Sequence, residues 1–153
     1  MDENDMHVCE SDNYRLWLLD SGSTSHMTYD ELICDNFVEE KRRISTADRK
    51  GKILTSKGIG NVIVRQAFRN NNVKLENVLC VPELNSNLLL VAKITDHEYD
   101  INFNKHRAIV YNKSNGIQMT AVRVQDAYYV RTSINHEKTA AMSTDDDIEH
   151  KRL

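Results

Sequence analysis

Proline is nearly missing from this chain, with Pro82 the single example in 153 residues, and glycine is scarce at five. These shortages exclude a low-complexity linker and make each glycine informative. Three cysteines (Cys9, Cys34, Cys80) are odd in number and widely scattered, which argues against a disulfide framework and for a reduced, intracellular setting. Charge of one sign is also lacking. A net charge of −3 gives no electrostatic reason to expect nucleic acid or an anionic membrane as partner. No apolar run approaches the roughly 20 residues that span a bilayer, and the start, Met1-Asp2-Glu3-Asn4-Asp5, is unlike a signal or transit peptide. What remains, 40% hydrophobic and 28% charged, is an ordinary globular composition, long enough for one domain and some extra.

Metal and cofactor signatures are missing as well. His7 with Cys9 and His26 with Cys34 lack the paired spacing of a zinc site. Gly58-x-Gly60 lacks the rest of a dinucleotide fingerprint, and Asp145-Asp146-Asp147 lacks the glycine and glutamate of a calcium loop. No cofactor and no metal are expected.

The remaining patterning is β. Residues 15–19 read as a short buried strand ending at Asp20. Thr28 to Glu40 suits either a short helix or an irregular strand. Asp48-Arg49-Lys50-Gly51 is a polar turn before one long extended stretch, Lys52 to Phe68. Asn70-Asn71-Asn72 marks a further turn, and Val73 to Val81 is a strand stopped by Pro82. Leu88-Leu89-Leu90-Val91 is wholly apolar and runs into one or two helical turns. Asp100 to Asn104 alternates as a half-buried strand does, Asn115-Gly116 is flanked by hairpin strands, and Tyr128-Tyr129-Val130 closes the series. Eight or nine short strands with one short helix imply an all-β fold, a barrel or sandwich.

The most informative stretch is Trp17-Leu18-Leu19-Asp20-Ser21-Gly22-Ser23-Thr24. An apolar strand delivers one carboxylate into a turn rich in hydroxyls and glycine. Peptide hydrolysis by carboxylates needs two of them sharing a proton around a water. Gly22 would let the backbone pack close behind the carboxylate, and Ser21 would cross-link two copies of the loop. No second Asp-Ser/Thr-Gly follows, so two chains would have to supply the pair. The same tripeptide also suits an ordinary strand-ending turn.

The longer string Trp17 to Thr28 resembles the protease signature of Ty1/copia-type retrotransposon Pol polyproteins. Three later segments agree in order and spacing: Ser45-Thr46-Ala47-Asp48 with Gly58-Ile59-Gly60-Asn61-Val62, then Asn77 to Leu84, then Asn87 to Val91. The resemblance implies a retropepsin-like closed β-barrel lobe with a flap hairpin and one short helix, over residues 15–104. A polar tail (1–14) would precede it. A β-hairpin extension (105–132) and a polar linker opening the pre-integrase region (133–153) would follow. It further implies an aspartic endopeptidase acting as a homodimer on the Gag-Pol polyprotein, within a cytoplasmic virus-like particle. Asp20 would be catalytic, with Ser21 and Gly22 building its loop, and Ser23 and Thr24 would lie near the bound peptide. The length of the strand after the flap places the tip, and further peptide contacts, at Asp48, Arg49, Lys50 and Gly51, with Gly58-Ile59-Gly60 as the rival position. The chain departs from the retropepsin pattern at Leu90, where a small residue is usual, and in the short, polar stretch before Asp20. These departures keep open a non-catalytic, protease-like dimerisation or peptide-binding module.

Overall fold

The computed structural model describes residues 14–22, 24–45, 53–66, 72–114, 116–133 and 151–152. In chain order the elements are β1 (Tyr14–Asp20), β2 (Met27–Thr28), a single 3-10 turn (Glu31–Ile33), β3 (Asp35–Glu39), β4 (Arg43–Ser45), β5 (Ile53–Thr55), β6 (Gly58–Arg65), β7 (Asn72–Cys80) and β8 (Asn87–Leu90). There follow α1 (Val91–Asp96), the one α-helix among the described residues, then β9 (Asp100–Phe103), β10 (Arg107–Asn112), β11 (Gly116–Val124), β12 (Ala127–Ser133) and β13 (Lys151–Arg152). The all-β, barrel-like expectation holds.

The main sheet runs β3-β6-β7-β2-β8-β1-β12-β11-β10-β9, and β13 pairs with β7. Beyond Arg65, Gln66 bridges antiparallel to Thr132 on β12. Its side-chain amide donates to the Gln118 carbonyl and accepts from the Thr120 N–H of β11. One end of β6 is thereby tied to the far half of the sheet, which curls toward a barrel. Residues 107–133 carry the three strands β10, β11 and β12, and β12 pairs directly with β1, from Tyr14↔Ser133 to Leu18↔Tyr129.

The centre of the sheet explains the two apolar runs. β8 lies between β1, to which it is parallel, and β2, to which it is antiparallel. Both faces of this pair are covered, so neither strand shows the alternation of a half-solvated one. Trp17, Leu19 and Leu89 point into a large cluster with Val64, Leu75, Ile94, Val110 and Met119. Leu18 and Leu88 point the other way, into a smaller cluster with Met27, Ile44, Leu54, Leu79 and Val81. Strand β7 serves both clusters because it carries an extra residue. Val62 pairs with Leu75 but Gly60 pairs with Val78, and Asn77 takes φ 59° in the bulge. The parity of β7 therefore flips, sending Leu75 and Val78 to the large cluster and Leu79 to the small one.

One expectation is corrected. The extended stretch from Lys52 is not a single strand, because it breaks at Ser56-Lys57. There the Ser56 N–H donates to the Arg42 carbonyl at 2.8 Å, and the Lys57 N–H donates to the Cys80 carbonyl at 2.7 Å. Before the break, β5 pairs only with β4, in a separate two-stranded ribbon. After it, β6 joins the main sheet between β3 and β7. The ambiguous segment from Thr28 resolves into both options, a 3-10 turn and then a strand. Asp30 starts the turn by accepting the Leu32 N–H on its side chain at 2.9 Å.

Candidate active site

Asp20 is the last residue of β1 and pairs with Leu90, the last residue of β8, in parallel register. The loop from Ser21 to His26 then passes over the end of β8 and re-enters the sheet as β2 on its other side. Strands β1 and β2 thus straddle β8, and the loop between them caps it. Asp20 is half-buried, while Ser21, Gly22 and Thr24 are exposed. The Gly22 N–H donates to Asp20 Oδ1 at 2.8 Å, so the loop's own backbone orients the carboxylate.

Side-chain parity decides which way Asp20 points. Residues two apart on a strand share a face, so Asp20 lies on the face of Leu18, and Leu90 on the face of Leu88. That face is the one covered by the β4–β5 ribbon, whose Ile44 and Leu54 fill the small cluster. The carboxylate and the ribbon therefore stand on the same side of the sheet. The ribbon is described over Arg43–Ser45 and Ile53–Thr55. The expected tip, Asp48 to Gly51, and Ser23 lie outside the described residues. The rival tip is ruled out: Gly58-Ile59-Gly60 lies within β6, hydrogen-bonded between β3 and β7. Gly58 is needed there for packing, since a Cβ would come within 2.6 Å of the Val38 carbonyl oxygen and closer still to the Phe37 ring.

Beneath the loop sits a polar network that the sequence reading did not single out. Asn87, wholly buried at the start of β8, accepts from the Thr28 hydroxyl at 2.6 Å and donates to the Leu16 carbonyl at 3.3 Å. It thereby ties β1, β8 and β2 together through one side chain. Thr28 Oγ1 in turn accepts the Asp30 N–H at 3.1 Å, and Asp30 Oδ2 pairs with Arg15 at 2.6 Å. The Arg15 guanidinium lies over the Tyr29 ring, 5.6 Å from its centroid. The one available signal was Asn87 itself, a polar residue at the head of an apolar run. His26 is likewise wholly buried, and its Nδ1 accepts the Leu90 N–H at 2.9 Å.

Other titratable groups bear on packing more than chemistry. Burial pushes the Cys80 thiol up, with Glu31 adding to the effect, and burial draws the Lys93 ammonium down while it donates to the Glu76 carbonyl. Among the described residues, no group of three or more His, Cys, Asp or Glu is placed to hold a metal ion.

A family model described as "Pol polyprotein, beta-barrel domain" matches residues 17–99, more than half of the chain. The chain belongs to this family. It is a region of a retroelement Pol polyprotein. No curated protein matches it. The Pol β-barrel match opens at Trp17, on the strand that delivers Asp20, and runs through β8 and α1 to Tyr99. The whole straddled loop, the ribbon and Asn87 with Thr28 and Asp30 fall inside it, whereas Arg15, Leu16 and the strands from β9 onward lie outside.

Proposed function

We propose that this Pol β-barrel region is a copia-type aspartic endopeptidase that processes the Gag-Pol polyprotein as a homodimer, each chain supplying Asp20. The observation that carries the reading is the placement of one carboxylate at the mouth of the sheet. Asp20 ends a strand packed on both faces, is oriented by the Gly22 N–H, and projects on the side covered by the two-stranded β4–β5 ribbon. A rigid support under the carboxylate and a liftable cover above it are what such a reaction requires.

In the dimer the two Asp20 carboxylates share one proton and hold a water between them. The ionised one takes a proton from the water as its oxygen attacks the scissile carbonyl carbon. The protonated one donates to the carbonyl oxygen, giving a tetrahedral diol. Collapse of the diol breaks the C–N bond as the leaving nitrogen receives a proton. Ser21 and Gly22 shape the loop, and Ser23, Thr24 and Asp48 to Gly51 are assigned to contact with the peptide by the resemblance to retropepsins. The setting is the cytoplasmic particle of the element.

Cleavage of the Gag-Pol precursor by the wild type and by Asp20→Asn tests this. The variant should lose at least about a thousandfold in rate, as loss of a central catalytic group does, and equal cleavage by both proteins would sink the proposal. One observation favours a second reading, a non-catalytic dimerisation or peptide-binding module. Leu90, only 5% exposed, occupies the face directly beside Asp20, where the partner's carboxylate has to approach. A chain that binds peptide or dimerises in sedimentation, yet never turns over at any concentration, would support that reading.

A further inference from the structure

His26 stands where the Asp20 loop returns to the sheet, and it is fixed on two sides. Its main-chain carbonyl accepts the Leu79 N–H of β7 at 2.9 Å. Its imidazole Nδ1 accepts the Leu90 N–H of β8 at 2.9 Å. Leu90 is the residue that pairs with Asp20. One ring therefore reaches from the far foot of the loop, across the end of β8, to the backbone beside the near foot.

The place of this bond matters. Strand β2 pairs with β8 only through Met27↔Leu88, so that pairing has ended before Leu90. Leu90 is also the residue that precedes α1, and no side chain of its own caps that helix. The ring nitrogen takes over as acceptor for a backbone N–H at the point where strand gives way to helix. An accepting nitrogen carries no proton, so Nδ1 is the bare nitrogen of the ring. Deleting the acceptor would strand a buried donor and release the end of β8, on which Asp20 is registered.

We propose that His26 is a positioning residue for Asp20, holding Leu90 and the loop so that the carboxylate keeps a fixed orientation at the dimer axis. The proposal rests on the reading of Asp20 as the catalytic carboxylate. It predicts a defect in kcat rather than KM, because the peptide is bound by other parts of the loop and by the ribbon, whereas the ring sets only the carboxylate's alignment.

The test compares His26→Asn and His26→Gln in the full chain, with Asp20→Asn alongside. An Asn amide oxygen stands about where Nδ1 stands, while a Gln amide reaches toward the Nε2 position instead. In His26→Asn the Leu90 amide should stay slow to exchange with deuterium, and most of kcat should be kept. In His26→Gln that amide should exchange at least about tenfold faster. The kcat should fall by about ten- to a hundredfold with KM within about twofold, the scale expected of a slightly misplaced reacting group. Equal kcat in the two variants, or losses that track the unfolding midpoint alone, would overturn the positioning role. If His26→Gln does not fold, His26→Asn decides: a protected Leu90 amide together with a tenfold loss of kcat overturns the role. Undiminished cleavage by Asp20→Asn overturns the catalytic reading instead, while Leu90 exchange still reports whether the ring holds the strand.

Discussion

The two faces of the β1–β8 pair are packed very differently. On one, Trp17 and Leu89 join a cluster that draws on β6, β7, α1, β10, β11 and β12, nearly the full width of the sheet. On the other, Leu18 and Leu88 meet a small group beneath the β4–β5 ribbon, which has no strand pairing to the main sheet. Asp20 stands on this second face. The fold is thus anchored on one side of the strand that carries the carboxylate, and a smaller cluster under the ribbon lies on the other. The comparison can be broken by truncating matched leucines.

Leu89→Ala should have the largest effect on stability. Leu89 is wholly buried and lies within the large cluster, where neighbours held by β-pairing on all sides cannot collapse into the void. A loss of about 4 kcal/mol is expected, near the upper part of the range for such truncations. Urea unfolding should show it as a lower midpoint with an unchanged slope. Leu54→Ala removes an equally buried side chain of the same size from the small cluster. The ribbon can settle onto the sheet or open locally, so about 2 kcal/mol is expected globally. Precursor cleavage should suffer more than the fold does. If both variants lose the same stability and the same activity, the two faces are equivalent and the ribbon is not a separable cover.

This asymmetry was only half legible in the chain. Wholly apolar runs at residues 17–19 and 88–90 announced strands covered on both faces, and the clean alternation at Asp100 to Asn104 announced a half-exposed one. The hairpin at Gly116 was readable from a residue that takes φ +80°. The break at Ser56-Lys57 was not readable, because its cause is non-local: the two N–H groups there bond to Arg42 and Cys80, far away in sequence. Gly58 and Gly60 offered the rival position for a mobile tip. They are glycines because the Phe37 ring and the β3 backbone press against them, a fact of packing that spacing does not carry. In the site, the Asp20 loop declared itself through its residue types. Asn87 and His26 did not, since each acts on backbone groups brought near only by the insertion of β8 between β1 and β2.

The smallest effect should come from the Arg15–Asp30 ion pair, at the end of β1 away from the Asp20 loop. Arg15 and Asp30 meet at 2.6 Å with side chains 16% and 21% exposed, so the pair is partly sheltered without being desolvated. Arg15→Met keeps most of the apolar stem against Tyr29 and deletes the charge. Asp30 still accepts the Leu32 N–H through its other oxygen, so no carboxylate is left without a donor. A loss of about 1 kcal/mol is expected, toward the upper end for exposed pairs and well short of a buried one. Urea unfolding at low and at high salt would separate the two components. Screening should shrink the difference between wild type and variant if the charge carries it, and leave it unchanged if the lost cation–π contact does. A loss comparable to Leu89→Ala would mean instead that the ion pair near the start of β1, rather than the large cluster, is what holds β1 in the sheet.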